Sequence, residues 1–376
     1  MVSRPNQWIH SPAWDSAFVL SGITICALLL ALQPLGFHFQ IVAVLLASQR
    51  LVALTHSWST TYIVTASPMF AGLRKAQRDK FLLVPILLFL FSLILGVVVA
   101  KYAMISDEGL LTWRSAPYYL YIALFMFGHF WHFGRQDFGV LSIYRNRAGQ
   151  NSARDRILDE RYTQIMMYVI QPIMYFQIFP KFPFTIIFTW ALPLFQIISI
   201  AAKVALVAAF VLTAAIVINE IRKSNRSAPK LLYYVVMLFH PVLLYYSSAL
   251  TFIYWQVAYL WSHWLIATSL SYRIHSGYLL KNGSTRVQAF VQHAVVIGAV
   301  SLIVWWVTSP LADISITQRD FIDAYEILRS MKAEDYTWVG LFFGFVLGEQ
   351  LVHYYCDRCL FRFKDPGVRN VVARHL

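Results

Sequence analysis

The segment GHFWHFGRQDFG, residues 128–139, sets two histidines, an arginine, a glutamine and an aspartate among phenylalanines and a tryptophan. YYLYIALFMF precedes it and VLSIY follows, so this chemistry is embedded in an apolar run. An ionisable group in such a run is costly and marks a functional site by default. Three other apolar runs carry comparable groups. One is LTHSWSTTY, with His56 and Thr60. A second holds Gln256, Tyr259 and His263. The third is GEQLVHYYCD, with Glu349, His353 and Asp357.

Helical spacing sorts these residues into faces. His129, His132 and Gln136 fall at i, i+3 and i+7, a single stripe. Glu349, His353 and Asp357 fall at i, i+4 and i+8, and Tyr259 shares a face with His263. Imidazole suits iron, copper and zinc. The carboxylates suit either ligation or acceptance of the imidazole N–H, which fixes the tautomer. Gln136 and Tyr259 fit the supporting part. A lone histidine in a membrane helix is more often a hydrogen-bonded packing residue than a ligand. The argument for ligation is that four helices bring imidazoles to one depth. His240 precedes Pro241 and reads as a residue at a kink. His10, His38, His275, His293 and His375 lie near span ends or in polar segments and are set aside.

The elements that must position these groups follow from composition. The chain has 376 residues, 59% hydrophobic and 13% charged, with a mean hydropathy of +0.57. Soluble domains carry roughly a quarter charged residues. The expectation is an all-α polytopic bundle, a single integral membrane domain over 1–376. Within it, 1–16 forms a retained interfacial segment with no signal-peptide cleavage site, and 361–376 a basic cytosolic tail. A span needs about 20 apolar residues. Such runs fall near 17–36, 40–70, 81–101, 117–143, 162–179, 184–220, 231–247, 250–271, 288–308 and 337–360, about ten in all. The runs at 40–70 and 184–220 are over-long, which points to kinked or doubled spans.

The connections alternate in charge. Those at 73–80, 144–161, 221–230 and 271–286, with the tail, are basic; 105–109 and 313–336 lean acidic. Ten spans with a cytosolic N-terminus put every basic connection on one side, as the positive-inside rule requires. Both termini are then cytosolic, in an inner membrane. The net charge of +13 is accounted for by these connections, with no nucleic acid partner. In this topology His56, His132, His263 and His353 lie at matching depth in the cytosolic half. Cys356 and Cys359 form one C-x-x-C with no second pair for zinc, so they read as reduced thiols near the cytosolic surface.

HFGRQDFG resembles the HFG-x-x-DF segment of bacterial Brp/Blh-type β-carotene dioxygenases. HYYCDRCLFR (353–362) is similar to that family's late histidine–aspartate segment, and His56 stands where its first histidine does. The family's H-x-x-x-H pair reads YLWSH here, with Tyr259 in place of the first histidine. The chain also resembles a broad set of bacterial membrane proteins sharing H-x-x-x-T, H-x-x-R-Q-x-[YF]-G and H-Y-x-x-D-x-x-[IL]-[WF]-R. These match His56 with Thr60, His132 through Gly139, and His353 through Arg362. The dioxygenase resemblance implies non-haem iron and dioxygen acting on a lipophilic molecule.

The expected function is therefore a membrane oxygenase or oxidase. His56, His132, His263 and His353, with His129 as an additional candidate, would hold the metal and leave a position open for dioxygen. Glu349, Asp357, Tyr259 and Gln136 would orient ligands or relay protons, and Arg135 and Thr60 would meet the substrate. Partners would be membrane lipids, a lipophilic substrate and an electron donor. Copper, zinc and haem stand as alternatives to iron. Two rival readings remain open from sequence: a b-type haem protein passing electrons to quinone, and a proton-coupled transporter.

Overall fold

The computed structural model describes residues 7–36, 38–105, 116–177, 192–246, 256–308, 336–362, 365–372 and 375. Every regular element among them is helical. In chain order these are α1 (Pro12–Phe18), α2 (Ser21–Leu32), α3 (His38–Thr65), α4 (Ala71–Ala76), α5 (Val84–Ile105), α6 (Ala116–Arg147), α7 (Ala153–Ile165) and α8 (Gln171–Phe176). They continue with α9 (Leu192–Ile221), α10 (Ala228–Tyr246), α11 (Ser262–Lys281), α12 (Arg286–Thr308), α13 (Tyr336–Leu360) and α14 (Pro366–Val372). Wide π-turns at Asp79–Leu83, Met166–Ile170 and Gln256–Trp261 lead into α5, α8 and α11.

Four described stretches are long and apolar enough to cross a membrane: Asp79–Lys101, Gln196–Ile221, Ala228–Tyr246 and Arg286–Trp305. The α1–α2 pair, bent by 78°, would make a fifth. The helices bearing the candidate histidines have the length: α3 has 28 residues, α6 32, α11 20 and α13 25. At about 1.5 Å per residue each reaches the roughly 30 Å of a bilayer core. Their buried faces carry histidine, serine, threonine, glutamine and aspartate.

Several expectations change. The run at 17–36 is broken at Val19–Leu20. The over-long runs are single helices where described: α3 is unbroken to Thr65, and α9 from Leu192. α3 gives way before Ser67–Pro68, since proline restricts the preceding residue and cannot donate a helical bond. The basic connections are largely helical: α6 runs to Arg147, α7 starts at Ala153, and α11 runs to Lys281. Gly149 (φ 69°) and Gly283 (φ 91°) make the reversals, in the left-handed region that glycine adopts without strain. Residues 106–109 and 313–335 of the acidic connections lie outside the described residues.

The helices form two compact units, residues 1–49 with 130–266 and residues 50–129 with 267–376. The chain passes from one to the other inside α3, α6 and α11.

In the first unit, the N-terminal segment is pinned by buried Asp15. Its carboxylate accepts the backbone N–H groups of Ile9 (2.8 Å) and His10 (3.1 Å) and the Tyr144 hydroxyl (2.8 Å). The basic residues near 144–161 and 221–230 are compensated internally. Arg145 pairs with Asp159 (2.9 Å), Lys223 with Asp155 (2.6 Å) and Glu220 (2.9 Å), and Lys230 with Asp159 (3.0 Å) and Glu220 (3.3 Å). Gln150 donates to Glu220 and accepts from Lys230, and Tyr234 donates to Asp159. Lys230 is fully buried, so its charge is tolerable only with both carboxylates present.

In the second unit, α13 lies against α5 at backbone contact. A Cβ added to Gly344 would sit 2.5 Å from Leu93 Cα, and one on Gly340 2.5 Å from Val97 Cα. Gly96 faces both from α5. Such small-residue faces let membrane helices approach closely. Below this contact Phe70, Phe81, Ile274, Cys356, Cys359, Val368 and Val372 form a core. The C-x-x-C thiols are unbridged but interior, packed as small hydrophobes. Within the basic tail, α14 buries Val368 and Val372 in that core. Asp365 accepts the Gly367 N–H (2.9 Å) and pairs with Lys80 (2.5 Å), and the Lys80 hydrogen bond holds its carboxyl below the ordinary range.

Two stability results are expected. Lys230→Met removes the cation shared by Asp159 and Glu220, leaving them to Arg145 and Lys223, and should cost about 1.5–3 kcal/mol in chemical unfolding of the detergent-solubilised protein. Gly344→Val forces α13 away from α5 and should lower the thermal midpoint sharply, whereas Gly298→Val, with nothing within 4 Å of an added Cβ, should not.

Candidate metal centre

In the first unit, α6 and α11 present His132 and His263 to each other. Their Nε2 atoms are 3.0 Å apart. The Phe133 ring lies flat on His263 at 3.5 Å, and Tyr259 stacks on Phe133 at 4.4 Å. Gln136, one turn after His132, donates through Nε2 to the His263 carbonyl at 3.3 Å. Tyr259 lies in the π-turn Gln256–Trp261, directly before the helix that carries His263. Such turns shift the register of a helix and recur at functional sites.

In the second unit, α3 and α13 present His56 and His353, whose rings meet edge to face at 4.2 Å. The Thr60 hydroxyl, one turn after His56, hydrogen-bonds His353 Nδ1 at 3.0 Å. Asp357 Oδ1 lies 3.7 Å from the same nitrogen. A hydroxyl at Nδ1 is the kind of outer contact that fixes the tautomer of a ligating imidazole.

One nitrogen from each of His56, His132, His263 and His353 lies within 4.8 Å of the other three, and all four residues are buried. Around one ion, with metal–nitrogen bonds of about 2.0–2.1 Å, ligand nitrogens stand roughly 3.3 Å apart in a tetrahedron. Across a trans pair they stand roughly 4.2 Å apart. The donor set therefore fits a first-row transition ion.

The remaining candidates fall around this set. His129 is outside it and stacks on Phe125 at 6.3 Å. Glu349 is also outside it, and its Oε2 accepts from the Gln350 amide at 3.2 Å. Tyr259 is buried. Arg135 is largely exposed and reaches Glu160 at 3.5 Å. Thr60, expected at the substrate, contacts His353.

Three features were not anticipated. Asp137 is buried and accepts the Tyr233 hydroxyl at 2.6 Å. His275 and His293 face across the α11–α12 turn with Nδ1 atoms 3.1 Å apart. That separation is a hydrogen bond between neutral rings, one donating and one accepting. His240, set aside as a kink residue, is buried edge-on to Tyr259 at 4.9 Å. Only helical register could have pointed to it, and the π-turn before Tyr259 hides that register.

No family model, curated protein or solved structure matches the chain.

Replacing Thr60 by valine keeps the shape but removes the oxygen that fixes His353. Loss of such an outer partner typically costs 10–100-fold in metal affinity. Titration of the metal-free protein with ferrous ion should show Thr60→Val weakened by about that factor, and Thr60→Ser close to wild type.

Proposed function

We propose that this chain is an integral-membrane, metal-dependent oxidoreductase that uses dioxygen on a lipophilic substrate. The metal, non-haem iron first and copper or zinc after it, would be held by His56, His132, His263 and His353. The observation that carries the reading is the convergence of four buried imidazole nitrogens within 4.8 Å. No other charge-neutral donor set of this density occurs among the described residues. The apolar helices and aromatic surroundings support a substrate that arrives from the bilayer. The reading includes about ten spans with both termini on the cytosolic side of an inner membrane.

When bound, the metal would supply one-electron chemistry and an open position for dioxygen. The chain's own residues supply the rest. Phe133 clamps the His263 ring, and Gln136 ties the α11 backbone at His263 to α6. Thr60 orients His353, and Asp357 stands one turn behind to steady its N–H. Tyr259 and Phe133 exclude water from one side. Glu349, on the same stripe of α13, would relay protons. Arg135 would meet an anionic head group at the cytosolic face.

A haem reading is disfavoured by the short His132–His263 contact. Axial ligands of one haem iron stand roughly 4 Å apart with the macrocycle between them. Nε2 atoms at 3.0 Å leave no plane for it. A relay of histidines without metal accounts less well for four rings at one point than for a row of them.

The test is metal analysis with absorption spectroscopy on purified wild type, His132→Ala and His353→Ala. Wild type should hold about one equivalent with no Soret band, and each variant should lose most of it. Unchanged metal in both variants would sink the site.

A further inference from the structure

Beyond the metal centre, the first unit buries polar atoms with nothing to pair with. His240 is 5% exposed, and neither ring nitrogen has a hydrogen-bond partner. Gln171 is 1% exposed, and its side-chain Nε2 likewise has none. An unmet buried donor or acceptor costs about 1–3 kcal/mol. A neutral imidazole always carries both an N–H and a lone pair, so His240 bears that cost twice.

These two side chains stand at the same level on neighbouring helices. Tyr162 on α7 donates to the Tyr234 carbonyl of α10 at 3.3 Å, and Gln177 just past α8 donates to the Tyr245 carbonyl at 3.4 Å. The helical run from α7 to α8 and α10 are therefore parallel. Between those two fixed points, Gln171 falls level with His240 and Pro241. The backbone is irregular on every side of this level. The π-turn Met166–Ile170 ends at Gln171, Pro241 interrupts the bonding of α10, and Tyr259 belongs to a third wide turn. Irregularities of this kind in membrane helices are tolerated where they line a binding site.

We propose that His240 and Gln171 form a binding site for the head group of a membrane quinone. The chemistry of the unmet atoms selects the ligand. Gln171 Nε2 and the His240 N–H both require acceptors, and the second His240 nitrogen accepts. A quinone ring carries carbonyl oxygens that accept, and in its reduced form hydroxyls that also donate. Its flat ring matches the aromatic wall of Tyr259, which stands edge-on to His240 and stacks on Phe133. Its isoprenoid tail suits approach from lipid. A fatty alcohol would offer a single oxygen and no ring. The binding site does not depend on the metal reading; only its use as an electron source for the histidine centre would.

The experiment uses the full-length protein in detergent, titrated with decylubiquinone, and with decylbenzene as an oxygen-free control. Metal content is measured in the same samples. Wild type should bind one equivalent of decylubiquinone and bind decylbenzene at least tenfold more weakly. His240→Phe and Gln171→Leu should each weaken decylubiquinone binding about tenfold or more while metal content stays at the wild-type level. Without ligand, both variants should melt at or above the wild-type temperature, because they remove a stranded polar group. Absence of quinone binding by wild type overturns the proposal, as does equal binding of decylbenzene. So does wild-type affinity in both variants. A protein that binds quinone but holds no metal would overturn the metal reading and leave this site standing.

Discussion

The organising constraint is the cost of a polar group removed from water inside an apolar bundle. A buried charge must be paired and hydrogen-bonded, and a buried neutral group must find a partner. Around Lys230 this rule is met completely. Three cations, Arg145, Lys223 and Lys230, interleave with Asp155, Asp159 and Glu220, and Gln150 and Tyr234 fill the remaining positions. That network holds α6, α7, α9 and α10 in one register. The His132 end of α6 inherits its position from it. In the second unit the corresponding role falls to backbone contact. Glycines 96, 340 and 344 bring α13 onto α5, and His353 extends from the same helix.

Seen through that constraint, the buried polar residues divide by how they are satisfied. The charge network is self-sufficient and needs no ligand. Among the four central imidazoles, His353 meets the Thr60 hydroxyl and His132 meets His263. Four buried imidazoles with a ligand atom of each within 4.8 Å of the others are a set that could hold a cation. His240 and Gln171 are at the far end of the scale, with no protein partner for the atoms they bury. Structural polar groups, metal ligands and organic-ligand contacts thus differ by a measurable property, the fraction of their hydrogen-bonding capacity that the chain itself meets.

Much of the central site was legible in the sequence. Stripes at i, i+3 and i+7 or at i, i+4 and i+8 follow from regular helices, and with a common depth in four spans they brought His56, His132, His263 and His353 together on paper. The supporting roles were legible only where spacing is short: Gln136 and Asp357 each lie about one turn from a histidine of their own helix. The contact of Thr60 with His353 was not legible, because the two are 293 residues apart. His129 shares the stripe of His132 but one turn off the meeting point, and a periodic pattern cannot tell which turn faces the centre. The basic connections were read as loops because charge resembles solvent exposure in a sequence. Arg145 and Lys230 are buried because each finds carboxylates from other helices. Four of the runs counted as spans from sequence carry the polar residues that build the site, in α3, α6, α11 and α13.

Irregular helical turns explain why His240 and Gln171 escaped a periodic reading. A π-turn inserts a residue and rotates everything after it by roughly a quarter-turn relative to an unbroken helix. Met166–Ile170 does this immediately before Gln171, and Gln256–Trp261 does it immediately before His263. Proline at 241 removes a backbone donor beside His240. Each device costs backbone hydrogen bonding in surroundings that offer no water to replace it. A fold would retain three such losses at one level only if they aim side chains that a regular helix would misdirect. The side chains so aimed are Gln171, Tyr259 and His240, and with His263 just past the last of the turns they place polar atoms beside the histidine pair. The irregular turns and the unmet polar atoms are therefore two expressions of one design, in which local backbone stability is given up to hold chemistry at a fixed depth.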